Sequence, residues 1–224
     1  MHQKEAVLPV TNKKPNSRQV FGVQILTNSH PEIKKIRLQT GHPSIHGNKF
    51  WKSTYLLMDY LKEFPPEKIK RKNGKKLRVL EIGCGWGVGG IFCAKQFSAE
   101  LTALDADPVV FPYLQYHAQI NGVDASTWRS RYEQVKKQDL DKFDIVVAAD
   151  ICFWDEMTKP LYNLVRRANS VGTRVVITDP GRQPFRDMAE KCVGKLGATY
   201  ETWSVPHPCN ASGFVVDYDP NYQA

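Results

Sequence analysis

Three acidic residues stand in or at the end of short apolar runs: Glu81 in "LRVLEIG", Asp105 in "ELTALDAD" and Asp150 in "FDIVVAAD". A carboxylate there can accept hydrogen bonds from hydroxyl groups or pair with a cation. After Glu81 the chain reads "GCGWGVGG", residues 83–90, with five glycines in eight positions. Glycine permits positive φ and lets backbone approach a partner closely. Gly85, Gly87 and Gly90 also fit the G-x-G-x-x-G fingerprint of dinucleotide-binding turns, a weak signal when it stands alone. After Asp150 come Cys152, Phe153 and Trp154. Aromatic faces can stabilise a cationic group, and Trp51, upstream, is a further aromatic candidate.

The surrounding pattern places these residues. From Leu77 the chain alternates strand and helix: "LRVLEIG", "GGIFCAKQF", "ELTALDAD", "PVVFPYLQYHAQING", "STWRSRYEQV" (a weaker strand), "FDIVVAAD", "EMTKPLYNLVRRAN", "TRVVITDP" and "PFRDMAEKCVGKL". That alternation predicts a mostly parallel sheet with helices on both faces. Ligands of such folds bind at the carboxyl ends of the strands, where the three acids fall. The closing runs "TYETWSVP" and "SGFVVDY" have no helix between them and must pair antiparallel. Asp107 precedes Pro108 and is expected to cap a helix. Upstream, "VFGVQIL" and "IKKIRLQT" read as two short strands. "NKFWKSTYLLMDYLKEF" reads as a helix carrying Trp51 and ended by Pro65 and Pro66. The division expected is an N-terminal extension over 1–76 and a core over 77–224.

With 224 residues, 42% apolar and 24% charged, the chain suits one globular domain with an appendage. No apolar run approaches the roughly 20 residues of a membrane span, so no membrane partner is expected. The N-terminus lacks an apolar signal core, and five cysteines form no CxxC pair. Reduced thiols in the cytoplasm are the expectation. The pairs His42/His46 and His207/Cys209 lack convergent third and fourth ligands, so no metal is expected. Net charge is +8, concentrated at Lys13, Lys14 and Arg18 and in "KEFPPEKIKRKNGKK". With no aromatic residues interleaved to stack on bases, that run reads as a solvated loop, and nucleic acid ranks behind other partners.

The string "VLEIGCGWG" resembles motif I of the class I S-adenosylmethionine-dependent methyltransferases. The order of elements over roughly 77–218 and the final hairpin also match that fold. "FWKSTYLLMDYL" is similar to the Trp-containing helix before motif I in methyltransferase family 16, the seven-β-strand protein lysine methyltransferases. "DPGR", Asp179 to Arg182, resembles the branch that modifies the electron transfer flavoprotein β-subunit. The resemblance implies a Rossmann-like seven-stranded sheet and S-adenosylmethionine as cofactor. It implies cofactor contacts at Glu81, Gly83, Cys84, Gly85, Gly87, Asp105, Ala106 and Trp51, with Asp105 at the ribose hydroxyls. For adenine, Glu133, Gln134 and Asp139 stay open. Asp150, Phe153 and Trp154 are the implied reaction centre. Family members carry Asp-x-x-Tyr there, whereas this chain has Asp150-x-x-Phe153. The Asn/Asp-Pro-Pro-Tyr/Phe motif of nucleic-acid amino-methyltransferases is missing. The implied activity is methyl transfer to nitrogen, with a protein lysine as leading acceptor. A small-molecule N- or O-acceptor is the alternative, and a non-catalytic cofactor or partner binder is another.

Overall fold

The computed structural model describes residues 16–42, 46–47, 49–66 and 76–221. Lys13, Lys14 and most of the basic stretch expected as a loop lie outside the described residues. A short hairpin opens the described chain, β1 (Ser17–Val20) and β2 (Val23–Leu26). Helices α1 (Pro31–Thr40) and α2 (Ser53–Glu63) follow. The alternating region then runs β3 (Arg78–Ile82), α3 (Val88–Phe97), β4 (Glu100–Asp105), α4 (Phe111–Ile120) and β5 (Ala125–Arg129). It continues with α5 (Lys137–Leu140), β6 (Ile145–Ala149), α6 (Asp155–Asn169), β7 (Arg174–Asp179) and α7 (Gln183–Leu196). Strands β8 (Thr199–Val205) and β9 (Ala211–Tyr218) close the chain.

Seven strands form one sheet in the order β5-β4-β3-β6-β7-β9-β8. All neighbours are parallel up to β7, and β9 enters antiparallel between β7 and β8. Side chains alternate between two apolar layers, as strand pleating requires. Val79, Ile145, Val147 and Val176 face the layer shared with α2 and α3. Leu80, Val146, Ala148 and Ile177 face the layer shared with α6 and α7. The strand order reverses where β3 meets β6, which opens a crevice at the carboxyl edge between them.

The N-terminal region departs from expectation. "VFGVQIL" is not one strand, because Phe21 (φ 49) and Gly22 (φ 77) turn the chain back within it. Two residues at positive φ suit the tight turn of a twisted hairpin. "IKKIRLQT" is helix α1. His30 accepts from Glu32 N–H as its N-cap, Pro31 starts it, and Ile33 and Ile36 bury one face. Trp51 precedes α2 rather than riding on it. The weak strand stops at Arg129, and Tyr132–Gln134 make a 3-10 turn. Asp107 caps the turn at Pro108, accepting from Val109 N–H at 3.0 Å.

Buried polar groups fasten the hairpin to the sheet region. Asn121 accepts from Gln24 N–H at 2.8 Å and donates to Gln24 O at 2.9 Å. His117 accepts from Leu26 N–H at 3.2 Å on Nε2, while Nδ1 lies 2.8 Å from Tyr113 O. Trp86, from the glycine loop, stacks on His117 and on Tyr113. Burial holds the His117 pKa down at about 4, so the imidazole is neutral in the fold.

The unfolded chain binds that proton near pH 6.5, so stability is whole above this value and is lost as pH falls towards 4. Urea melts should show a loss of about 2 kcal/mol between pH 7 and pH 5. His117→Gln, which keeps an acceptor for Leu26 N–H, should flatten that dependence.

Candidate functional site

A cavity of about 250 Å³ lies at the carboxyl edge of β3, β4 and β6. Its first end is built by β3, the glycine loop and the tip of β4. Glu81, Gly83, Cys84, Gly85, Gly87, Asp105 and Ala106 all line it. Gly83, Gly85 and Gly87 have φ of 59, 50 and 73. Three left-handed residues at alternate positions lead β3 into α3, a path that side-chain-bearing residues resist. A Cβ on Gly87 would lie 2.5 Å from Leu114 Cδ1. Gly89 and Gly90 serve another end: a Cβ on either would lie 2.8 Å from a carboxylate oxygen of Glu81. The second pair of glycines therefore makes room for the protein's own acid.

Glu81 is buried, and its Oε2 has no hydrogen-bond partner. Burial pushes its pKa up to about 8, against the pull of the Gly90 and Gly89 N–H groups, with Asp105 adding repulsion. Asp105 bridges strand and loop. Its Oδ2 accepts from Gly85 N–H at 3.0 Å and its Oδ1 from Asp107 N–H at 2.9 Å. Each oxygen keeps a second lone pair for a ligand hydroxyl. Burial raises the Asp105 pKa, opposed by those N–H groups.

The other end is built by segments far apart in the chain. Asp150, at the tip of β6, is buried with φ 63. Its N–H donates to Thr178 O at 2.8 Å. Its Oδ2 accepts from Ser53 Oγ at 2.8 Å, and Thr178 Oγ1 donates to Ser53 O at 2.8 Å. Its Oδ1 contacts the Arg182 guanidinium. Arg182 also pairs with Asp179 at 2.8 Å and lies over the Phe153 ring, 4.4 Å from its centroid. Phe153 also meets His46, stacked at 4.0 Å, Trp51, edge-on at 5.7 Å, and Trp154, tilted at 5.8 Å. Trp51 Nε1 donates to His46 O at 2.7 Å and so ties this segment down. The His46 pKa is lowered by burial and by Arg182, with Asp150 opposing.

Asp150, Phe153 and Trp51 line the same cavity as Glu81 and Asp105. Trp154 does not: it is 51% exposed on the rim, edge-on to His46. Cys152 is buried in the α6/α7 layer, where burial pushes its thiol up to about 12. Of the three adenine candidates, Glu133 lines the cavity. Gln134 instead accepts from Arg131 N–H, and Asp139 from Lys136 N–H. Sequence reasoning gives no part to Ser53, weighs His46 only as a metal ligand, and notes Asp179 and Arg182 only as a motif. The pairing of "DPGR" with Asp150 needed the β6–β7 neighbourhood, which local pattern does not report.

The chain resembles known proteins in sequence and in fold. A family model described as lysine methyltransferase matches residues 30–189. The histidine protein methyltransferase 1 homolog of Dictyostelium discoideum is 35% identical over 127 residues, covering 53% of this chain and 38% of that protein. The electron transfer flavoprotein beta subunit lysine methyltransferase of Xenopus laevis is 28% identical over 109 residues, covering 48% of this chain and 44% of that protein. The chain thus spans less than half the length of these two relatives. Among solved structures, human methyltransferase 10 domain containing protein superposes with a TM-score of 0.56 at 9% identity. That match covers 84% of this chain and 93% of that one and shows a shared fold.

The glycine geometry separates two costs. Gly85→Ala meets open space and should lose about 1 kcal/mol of stability through its left-handed φ alone. Gly87→Ala adds the collision with Leu114 and should lose about 2–3 kcal/mol. Denaturant melts of the two variants side by side check the difference.

Proposed function

This chain belongs to the lysine methyltransferase family, and on that premise we propose that it is an S-adenosylmethionine-dependent methyltransferase acting on a side-chain nitrogen of a protein, with lysine as leading acceptor. One observation carries the reading: Glu81, the glycine loop and Asp105 share a cavity with Asp150, Phe153 and Trp51. A donor end and an acceptor end of different chemistry open into the same space. The relatives named for lysine and for histidine methylation support a nitrogen of a protein side chain.

The residues fit this cofactor. Glu81 offers a buried carboxylate oxygen without a partner, suited to an ammonium group. Asp105 offers a free lone pair on each oxygen, suited to a ribose diol. Gly83, Cys84, Gly85, Gly87 and Ala106 present backbone to the space between, and Trp51 closes the acceptor side. Glu133 is the candidate for the adenine amine. When bound, S-adenosylmethionine supplies an activated methyl group on a sulfonium. The chain's own work is to hold the acceptor nitrogen in line and keep water out, and positioning of this kind contributes roughly 7–11 kcal/mol. Asp150 orients the acceptor N–H, and the faces of Phe153 and Trp51 favour the charge that develops on nitrogen. The proposal keeps residues 1–76 as an N-terminal extension packed on the core, to which it brings α2 and Trp51, and 77–224 as that core. It places the protein in the cytoplasm, in line with five unpaired buried thiols. Among the described residues no helix is long and apolar enough to cross a membrane.

Calorimetric titration with S-adenosylhomocysteine tests the proposal. Wild type should bind in the micromolar range, and Asp105→Ala should bind about ten to a hundred times more weakly. A folded wild type that does not bind overturns the reading. The same titration should reveal Glu81. Its proton must leave before it can pair with the ligand's ammonium, so affinity should rise with pH from 6 towards 8 and a proton should be released at pH 7. Glu81→Gln should abolish both the slope and the proton release.

A further inference from the structure

Asp150 and Asp179 end neighbouring strands and face one guanidinium. Arg182 Nη1 contacts both the Asp150 carboxylate and, at 2.8 Å, that of Asp179. The two attachments are unequal. Asp179 is fully buried and also receives the N–H groups of Gly181 and Arg182, each at 2.8 Å, so the Arg182 backbone and side chain are both anchored to it. Asp150 Oδ1, by contrast, is buried yet accepts no hydrogen bond, for all its ionic contact with Arg182. Two carboxylates share one cation, and the Asp150 oxygen beside the cavity is the under-satisfied one. Such a buried oxygen favours a better-directed donor.

Arg182 also covers the face of Phe153. Carboxylate contact plus aromatic face is the combination that an ammonium group seeks. Lys49, which also lines the cavity, sits over Trp51 at 4.1 Å, and Lys52 donates to Asn210 O.

We propose that Arg182 is the specificity-determining residue of the acceptor end, a resident cation holding the place on Asp150 and Phe153 that the acceptor's ammonium takes. The incoming cation displaces Arg182 from Asp150, while Asp179 retains the guanidinium, so no buried charge is stranded. A cation enters only if it gains more from Asp150 than Arg182 does, which discriminates against acceptors that bring no charge. This inference rests on the methyltransferase reading for the identity of the acceptor, and the cation site itself can be tested separately.

The probe is n-butylammonium, the end of a lysine side chain, titrated calorimetrically into protein saturated with S-adenosylhomocysteine. Arg182→Met should bind it about tenfold or more tightly than wild type, because the competitor is gone. Adding Asp150→Asn to Arg182→Met should remove that gain, and neutral n-butanol should show no gain in either. Equal or weaker binding by Arg182→Met, or a gain that survives Asp150→Asn, overturns the proposal. If Arg182→Met does not melt cooperatively, Arg182→Gln decides by the same criteria. If wild type does not bind S-adenosylhomocysteine, the methyltransferase reading falls, and the n-butylammonium titration without it still decides whether Arg182 guards a cation site.

Discussion

The hydrogen bond from Gly85 N–H to Asp105 joins the loop after β3 to the tip of β4, and the cavity takes its shape from that join. Gly83, Gly85 and Gly87 lie in left-handed backbone, so the loop is intrinsically loose and gains nothing from local propensity. Its path is set by what it touches. Cys84 N–H donates to Leu104 O at 3.0 Å, Leu114 fills the space beside Gly87, and Ile151 crowds Gly83. Trp86, which also lines the cavity, stacks on His117 and Tyr113. The loop is thus pinned to β4 on one side and to α4 on the other, and through His117 to the N-terminal hairpin. Held in this way, Gly83, Gly85 and Gly87 bring the loop to the cavity without a side chain of their own.

Burying Glu81 under that loop would be unfavourable if α3 began with ordinary residues. Gly89 and Gly90 leave space for the carboxylate beside the first turn of the helix, where N–H groups favour negative charge. The acid still feels its burial, and its raised pKa records a group whose solvation is incomplete. In the proposed function such an acid ionises when a cation arrives, which would link recognition of the ligand to proton release.

These features differ in how far a single sequence exposes them. The donor end was legible because its parts are consecutive: Glu81 and the glycines lie within ten residues, and Asp105 ends the next strand. Strand and helix alternation from 77 onward was legible for the same reason, since each period is local. The hairpin was not, because "VFGVQIL" has an apolar run long enough for one strand and hides its turn at Phe21-Gly22. In "IKKIRLQT" the alternation of Lys, Ile and Arg imitates a strand, whereas Ile33 and Ile36 are spaced for a helix and His30 and Pro31 start it. Trp154 reads as part of the reaction centre by adjacency to Phe153. As the N-cap residue of α6 it is turned out to the rim.

The acceptor end resists reading because its contacts join residues with large sequence separations. Ser53 lies 97 residues from Asp150, with which it shares a hydrogen bond. The pairing of β6 with β7 brings Asp179 and Arg182 to the same place. Departure from the family's tyrosine at Phe153 looks like a loss when the motif is taken alone. In three dimensions the ring is held between His46 and Arg182, so polar groups reach this spot from other segments instead of from a hydroxyl on the ring. The proposed cofactor residues therefore follow from a local motif, and the proposed acceptor residues only from the assembled sheet.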